Sequence, residues 1–161
     1  MGGGGGGSRS IGDIQSLVDK AKQELREGEQ AGKKNVFISF AMEDEATVNT
    51  LRASTKNPKS PIEFNDWSVK EPINSERAAY IKQKIVDRIA HCSATVIFLS
   101  DNTARSSWVA WEIEESIRQG KKVIGVYPKD AQPDSYPEAV KKNRIKCVVW
   151  SDLADKIAKL D

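Results

Sequence analysis

The chain has 161 residues, 39% of them hydrophobic and 30% charged, the size and balance of one soluble globular domain. Its 25 Lys+Arg against 23 Asp+Glu leave a net charge of +2, no electrostatic footprint for nucleic acid, and no apolar run nears the roughly 18–20 residues of a membrane helix. With two cysteines and one histidine a four-ligand zinc centre is excluded, and Cys92 and Cys147, in or beside apolar runs, read as free buried thiols of a reducing cytoplasm.

Residues 1–10 contain six consecutive glycines and read as a flexible tail or linker. Residues 11–32 read as an amphipathic helix. Ile11, Ile14, Val18, Ala21 and Leu25 recur at spacings of three and four, which suits a self-association seam or a helix packed on its own domain. The α/β domain is expected over 33–161. Asn35 to Phe40 has the continuous apolarity of a buried parallel strand. A helix follows over 43–52 with Ala46, Val48 and Leu51 inward, then a second strand over 62–67. Ser75 is placed to cap a helix over 76–90, whose Ile81, Ile85 and Ile89 repeat every four residues. The third strand is expected over 94–100. Ser106 or Ser107 opens the next helix, and Gly120 stands where a helix-ending glycine belongs. A fourth strand over 122–127, a fifth over 145–150 and a last helix from about 152 complete the alternation. Strands alternating with helices imply a doubly wound α/β domain with a five-stranded parallel sheet.

In such sheets, ligands bind outside the carboxyl ends of the strands. No Gly-x-Gly-x-x-Gly follows the first strand and no Gly-Lys-Ser phosphate loop occurs, which argues against a Rossmann dehydrogenase and a P-loop NTPase. A Ser-His-Asp triad would need His91, placed at a helix end on the opposite edge of the sheet, where it reads as a capping residue. The helix over 107–119 carries the most telling pattern. Val109, Ile113 and Ile117 form a core stripe, while Trp108 and Glu112, also four apart, share a flanking face beside Trp111. A partly desolvated carboxylate there can bond sugar hydroxyls or stabilise an oxocarbenium ion. Equally, the tryptophans can be core and Glu112 simply favoured near a helix start. Lys141, Lys142, Arg144 and Lys146 read as a solvated loop face, and Trp150 as core.

Four stretches resemble one family. Val36-Phe-Ile-Ser-Phe40, with the acidic helix start after it, resembles the first strand of TIR (Toll/interleukin-receptor) domains, and Ala94 to Ser100 resembles their third. Ser107-Trp-Val-Ala-Trp-Glu-Ile113 and Gly120-Lys-Lys-Val-Ile124 resemble the family's Trp-to-Glu helix and fourth strand. The loop from Asp66 to Ser75, with Pro72 and Ile73, looks closest to the branch found in bacterial anti-phage systems of the Thoeris type. The resemblance implies a flavodoxin-like three-layer fold and cleavage of the nicotinamide–ribose bond of NAD+, giving an ADP-ribose-derived, linear or cyclic, defence signal. On that resemblance Glu112 is the catalytic carboxylate and no metal or cofactor is needed, NAD+ being the substrate. Phe40 borders the nicotinamide or its ribose, Ser39 and Ser100 border the same pocket, Trp67 lies in a gating loop, and Trp108 stacks on a base or supports the loop. The implied partners are further copies of the chain on activation and a downstream effector that senses the nucleotide product; nucleic acid and membrane are not among them. Ala41 and Met42 depart from the basic or polar residues that often follow the strand-one aromatic, leaving Lys70, Arg77 or Arg105 as candidate phosphate contacts. Two other readings compete: a non-enzymatic adaptor of the same fold, and a receiver-like phosphoacceptor using Asp101 with Glu43 and Asp44.

Overall fold

The computed structural model describes residues 14–20, 34–54, 62–65 and 73–160. The chain divides after Lys33 into two units. In the first, residues 14–20 are helical and exposed, Ile14, Leu17 and Val18 among them. The other seam positions, Ile11, Ala21 and Leu25, lie outside the described residues, as does the glycine run.

The second unit is built on β1 (Lys34–Ser39), β2 (Ile62–Asn65), β3 (Ala94–Phe98), β4 (Lys122–Tyr127) and β5 (Lys146–Val149). They form one sheet in the order β2-β1-β3-β4-β5, with every neighbouring pair parallel. This is the flavodoxin-like order, in which the chain steps outward from β1 to β2 and then returns across β1 to β3. Among the described residues, five helices connect and close the sheet: α1 (Glu45–Ser54), α2 (Ala78–Ala90), α3 (Ser107–Arg118), α4 (Glu138–Lys142) and α5 (Leu153–Ala158).

The period-two alternation of each strand sorts the core into two layers. Val36, Ile38, Val96, Phe98, Ile124 and Val126 face α1 and α5, where they meet Val48, Leu153 and Ile157. On the other face Ile97 and Leu99 meet Val109 and Ile113 of α3, and Phe37 meets Ile81, Ile85 and Ile89 of α2. All five residues of β3 are buried, as a central strand covered on both faces must be. On β4, Gly125 permits the close approach of its neighbours: a Cβ there would stand 2.7 Å from Cys147 Sγ and 2.8 Å from Leu99 Cδ1.

The five strands and the two-sided architecture follow the sequence pattern; several details differ from it. The helix expected over 43–52 is a 3-10 turn, Met42–Asp44, running into α1. Ala46 is exposed rather than inward, because two residues before Val48 is about 200° round the helix. Helix α2 starts at Ala78 with Arg77, not Ser75, at its N-cap and no side-chain cap bond; Ser75 stands in the turn before it, its carbonyl accepting from the Ala78 N–H at 3.1 Å and its hydroxyl buried without a hydrogen-bond partner. β3 and β5 are each shorter than expected, and the end expected for β2, at 66–67, lies outside the described residues. Trp150 opens a 3-10 turn after β5, half-buried and stacked on Phe64 with centroids 5.7 Å apart. Helix α4, with five residues, is too short to display a period, so Lys141 and Lys142 sit on a helix and not on a loop. His91 is exposed at the end of α2, its Nδ1 2.6 Å from the Asp87 carbonyl. Cys92 and Cys147 are free thiols, the first buried and the second half-buried, and burial pushes the Cys147 thiol above its ordinary pKa.

Candidate functional site

β1 and β3 part to feed helices on opposite faces, which makes their carboxyl ends the switch point of the sheet, where folds of this kind bind ligands in a crevice. Ser39 is the last residue of β1 and points to the same face as Phe37, a small hydroxyl at the rim of an otherwise apolar surface. It is 1% exposed. Above it runs α3. Ser106 caps that helix by accepting from the Val109 N–H at 3.2 Å, and the fully buried Val109 and Ile113 fix its rotation on the sheet. That rotation carries Glu112 inward. Glu112 is 4% exposed, and Ser39 Oγ donates to its Oε1 at 2.7 Å across a buried contact. Beneath it, Ser116 Oγ donates to the Glu112 carbonyl at 2.8 Å and lies 2.8 Å from Thr95 Oγ1 of β3, so the helix is tied to the sheet on both sides of the carboxylate.

A second polar group lies beside this pair. Ser100 Oγ donates to Asp44 Oδ2 at 2.5 Å, and Asn102 Nδ2 donates to Asp44 Oδ1 at 3.1 Å. Asp44 is 7% exposed. The Ser100 N–H donates to Thr103 Oγ1, which donates to the Phe98 carbonyl, and Arg105 Nη2 donates to Asn102 Oδ1 at 3.1 Å.

Of the site residues expected from the sequence, Ser39 and Glu112 are brought into contact, and Phe40 follows Ser39 directly, half-buried against the α1 and α5 layer. Ser100 is at the same edge with its hydroxyl turned to Asp44. Trp108 packs, partly buried, with Phe37 and the α2 isoleucines, its ring edge-on to Trp111 at 6.0 Å. Trp67 and Lys70 lie outside the described residues. Arg77 is exposed and stands over the Tyr80 ring. The receiver-like set does not converge: Glu43 and Asp101 are exposed, Asp101 accepts from the Asp134 N–H, and no group of three or more metal-ligating side chains occurs among the described residues. The bridge from Asp44 to Asn102 was not legible in the sequence. Asp44 stood at an expected helix start and Asn102 in a polar loop, and nothing local pairs positions 58 apart.

Comparison with known proteins bears on the family and the fold. The family model for the TIR-like domain of the Thoeris protein ThsB matches residues 37–133, a span holding Ser39, Asp44, Ser100 and Glu112. Over 98 residues the chain is 31% identical to the Bacillus cereus (strain MSX-D12) protein named "Putative cyclic ADP-D-ribose synthase ThsB1", covering 58% of this chain and 51% of that one. The chain therefore spans about half the length of the curated relative it matches. Among solved structures, the TIR domain of the Toll-related receptor TRR-2 from Hydra magnipapillata superposes with a TM-score of 0.53 at 17% identity, over 77% of this chain and 90% of that one. That likeness is one of fold.

Proposed function

The chain belongs to the family of Thoeris ThsB TIR-like domains, and from that membership we propose that it cleaves the nicotinamide–ribose bond of NAD+ with Glu112 as its catalytic carboxylate. The observation that carries the proposal is a glutamate 4% exposed, held by Ser39 Oγ at 2.7 Å, in the crevice between β1 and β3 where open α/β sheets bind ligands.

In the cleavage the bond between ribose C1′ and the nicotinamide nitrogen breaks. Its electron pair leaves with neutral nicotinamide, and positive charge develops on C1′ and the ring oxygen. A carboxylate fixed beside that ring stabilises the cation electrostatically, and more strongly in a crevice than in water. It also accepts hydrogen bonds from the ribose hydroxyls. Ser39 keeps the carboxylate oriented before substrate arrives, so little reorganisation is needed in the transition state. Phe40 supplies an apolar wall beside the leaving group. The cation is then captured either by water, with loss of a proton, to give ADP-ribose, or by a nucleophilic atom of its own ADP moiety to give a cyclic product. The name of the Bacillus relative favours the cyclic outcome. In this reading the product is a defence signal sensed by a separate effector, and assembly of several copies, with Trp67 in the loop after β2, completes the pocket.

The test is chromatography of NAD+ incubated with concentrated protein, beside Glu112→Gln. Nicotinamide released by the wild type alone supports the proposal, and the adenine-containing product separates hydrolase from cyclase. Equal release by both proteins removes Glu112 from the mechanism. Release by neither, at concentrations where the chain self-associates, favours the adaptor reading.

A further inference from the structure

We infer that Asp44 is a positioning residue that sets the width of the crevice, by clamping the loop after β1 to the loop after β3. This rests on the NAD+ reading above for its functional consequence, though not for its geometry. Between Ser39 and Asp44 lie only Phe40, Ala41, Met42 and Glu43. The segment is pinned at one end by Ser39 bonding to Glu112 and at the other by Asp44 accepting from Ser100 and Asn102. Within it, the Asp44 N–H donates to the Ala41 carbonyl at 2.9 Å, closing the short 3-10 turn. Phe40, the residue expected against the leaving group, is thus carried on a strap fixed at both ends.

The partners of Asp44 fit a clamp better than a ligand site. Ser100 Oγ donates to Asp44 and accepts from the Asn102 N–H at 3.0 Å, which commits the hydroxyl within the protein. Both oxygens of Asp44 accept hydrogen bonds from the β3 loop, and charge-assisted bonds of this kind are about twice as strong as neutral ones. From Asn102 the chain of contacts continues to Arg105, the last residue of the 3-10 turn before Ser106 caps α3. Ser100 is accordingly reassigned from a pocket-bordering residue to the strut that holds the pocket wall.

Two anchors with different roles make a separable prediction. Glu112 keeps its own bond to Ser39 when the clamp is cut, so the reacting carboxylate stays in place. What is lost is the wall that meets the substrate in the ground state and the transition state alike, and a uniform binding loss appears in KM. Asp44→Asn and Ser100→Ala should each raise KM for NAD+ by about tenfold, the order of one charge-assisted hydrogen bond, and leave kcat within about twofold. Because both weaken the same contact between Asp44 and Ser100, the double variant should be less than additive. Glu115→Gln, a buried carboxylate on α3 away from the crevice, is the control and should leave KM unchanged. Hydrogen exchange of the ligand-free protein supplies a readout independent of turnover: Asp44→Asn should speed exchange across residues 40–44 and 99–105, while Glu115→Gln should not. If the wild type cleaves no NAD+, the nucleosidase reading fails and exchange still decides the clamp. Unchanged exchange in those two loops overturns it. So does a loss of thermal stability with KM unmoved, since that is a purely structural role.

Discussion

Helix α3 carries two buried glutamates one turn apart, and they do different things. Glu112 and Glu115 are 4% and 7% exposed, so burial alone does not separate them. Their partners do. Glu115 is served by its own helix: Arg118 Nε and Nη2 donate at 3.0 and 2.5 Å, and Gln119 Nε2 at 2.7 Å. This local ring raises the pKa of the Arg118 guanidinium through the hydrogen bond and the charge of Glu115, and it meets α2 where Gln119 Nε2 also reaches the Val86 carbonyl. Glu112 instead meets a hydroxyl 73 residues away, at the end of β1. A carboxylate neutralised by near neighbours on its own helix stabilises that helix. One held by a distant strand end at the switch point of the sheet is in the place where ligands bind. The partner's position in the fold, more than the degree of burial, separates framework from site.

The largest effect expected from breaking that contrast is on turnover. Glu112→Ala should lower kcat by about a hundred- to a thousandfold, the scale seen when an electrostatic stabiliser of a transition state is removed, with a thermal midpoint no lower than that of the wild type. Steady-state NAD+ cleavage and a melting curve on the same preparation check both halves. Ser39→Ala should come next, with kcat down by roughly ten- to a hundredfold and KM little changed, because the carboxylate remains but is no longer oriented. If Ser39→Ala raises KM and spares kcat, Ser39 contacts substrate directly and its role as orienter of Glu112 is wrong.

How far the sequence reveals this depends on the range of the interaction. The strands were legible because β-branched and aromatic runs such as Ala94 to Phe98 have no other use than a sheet covered on both faces. The capped start and the glycine end of α3 were legible because each is a local rule. Glu112 was distinguishable from Glu115 only through its spacing from Trp108 and the likeness to TIR domains; the bond to Ser39 that gives it meaning is tertiary. Both tryptophan rings pack toward α2, a tertiary placement that their spacing on the helix does not give. Asp44 could be placed at a helix start but not joined to Ser100, because loops carry no period from which to infer a partner. Helix α4 escaped for want of length.

The next test sharpens the comparison from its structural side. Glu115→Gln removes the charge while keeping the size, leaving Gln119 and the helix end with a poorer acceptor. The expected loss is about 1 kcal/mol, the worth of an ordinary hydrogen bond in a buried setting, with NAD+ turnover per folded molecule unchanged. Denaturant midpoints with equal m-values measure the first. A large loss of turnover would place Glu115 in the site and erase the distinction drawn between the two residues.

The smallest expected effect lies at the far end of the same helix. Gly120 has φ +75, its N–H donates to the Ile117 carbonyl at 2.9 Å, and the Lys121 N–H donates to the Ser116 carbonyl at 3.0 Å. These are the two bonds of a Schellman ending. Nothing lies within 4 Å of where a Cβ would stand, so Gly120→Ala meets no steric obstacle beyond its own backbone. The cost should be about 1 kcal/mol from the left-handed conformation alone, partly offset by the reduced freedom of the unfolded chain. Helix α4 shows that the fold tolerates such a cost: it ends on the same pair of bonds, from Arg144 to the Lys141 carbonyl and from Ile145 to the Val140 carbonyl, with Arg144 at φ 52. Gly120→Ala should therefore lower stability modestly and leave turnover intact, because Glu112 is fixed by Val109, Ile113 and Ser39 and not by the helix end. Reduced turnover at full stability would mean that the ending of α3 transmits to the crevice, and the division of the helix into a site half and a framework half would no longer hold.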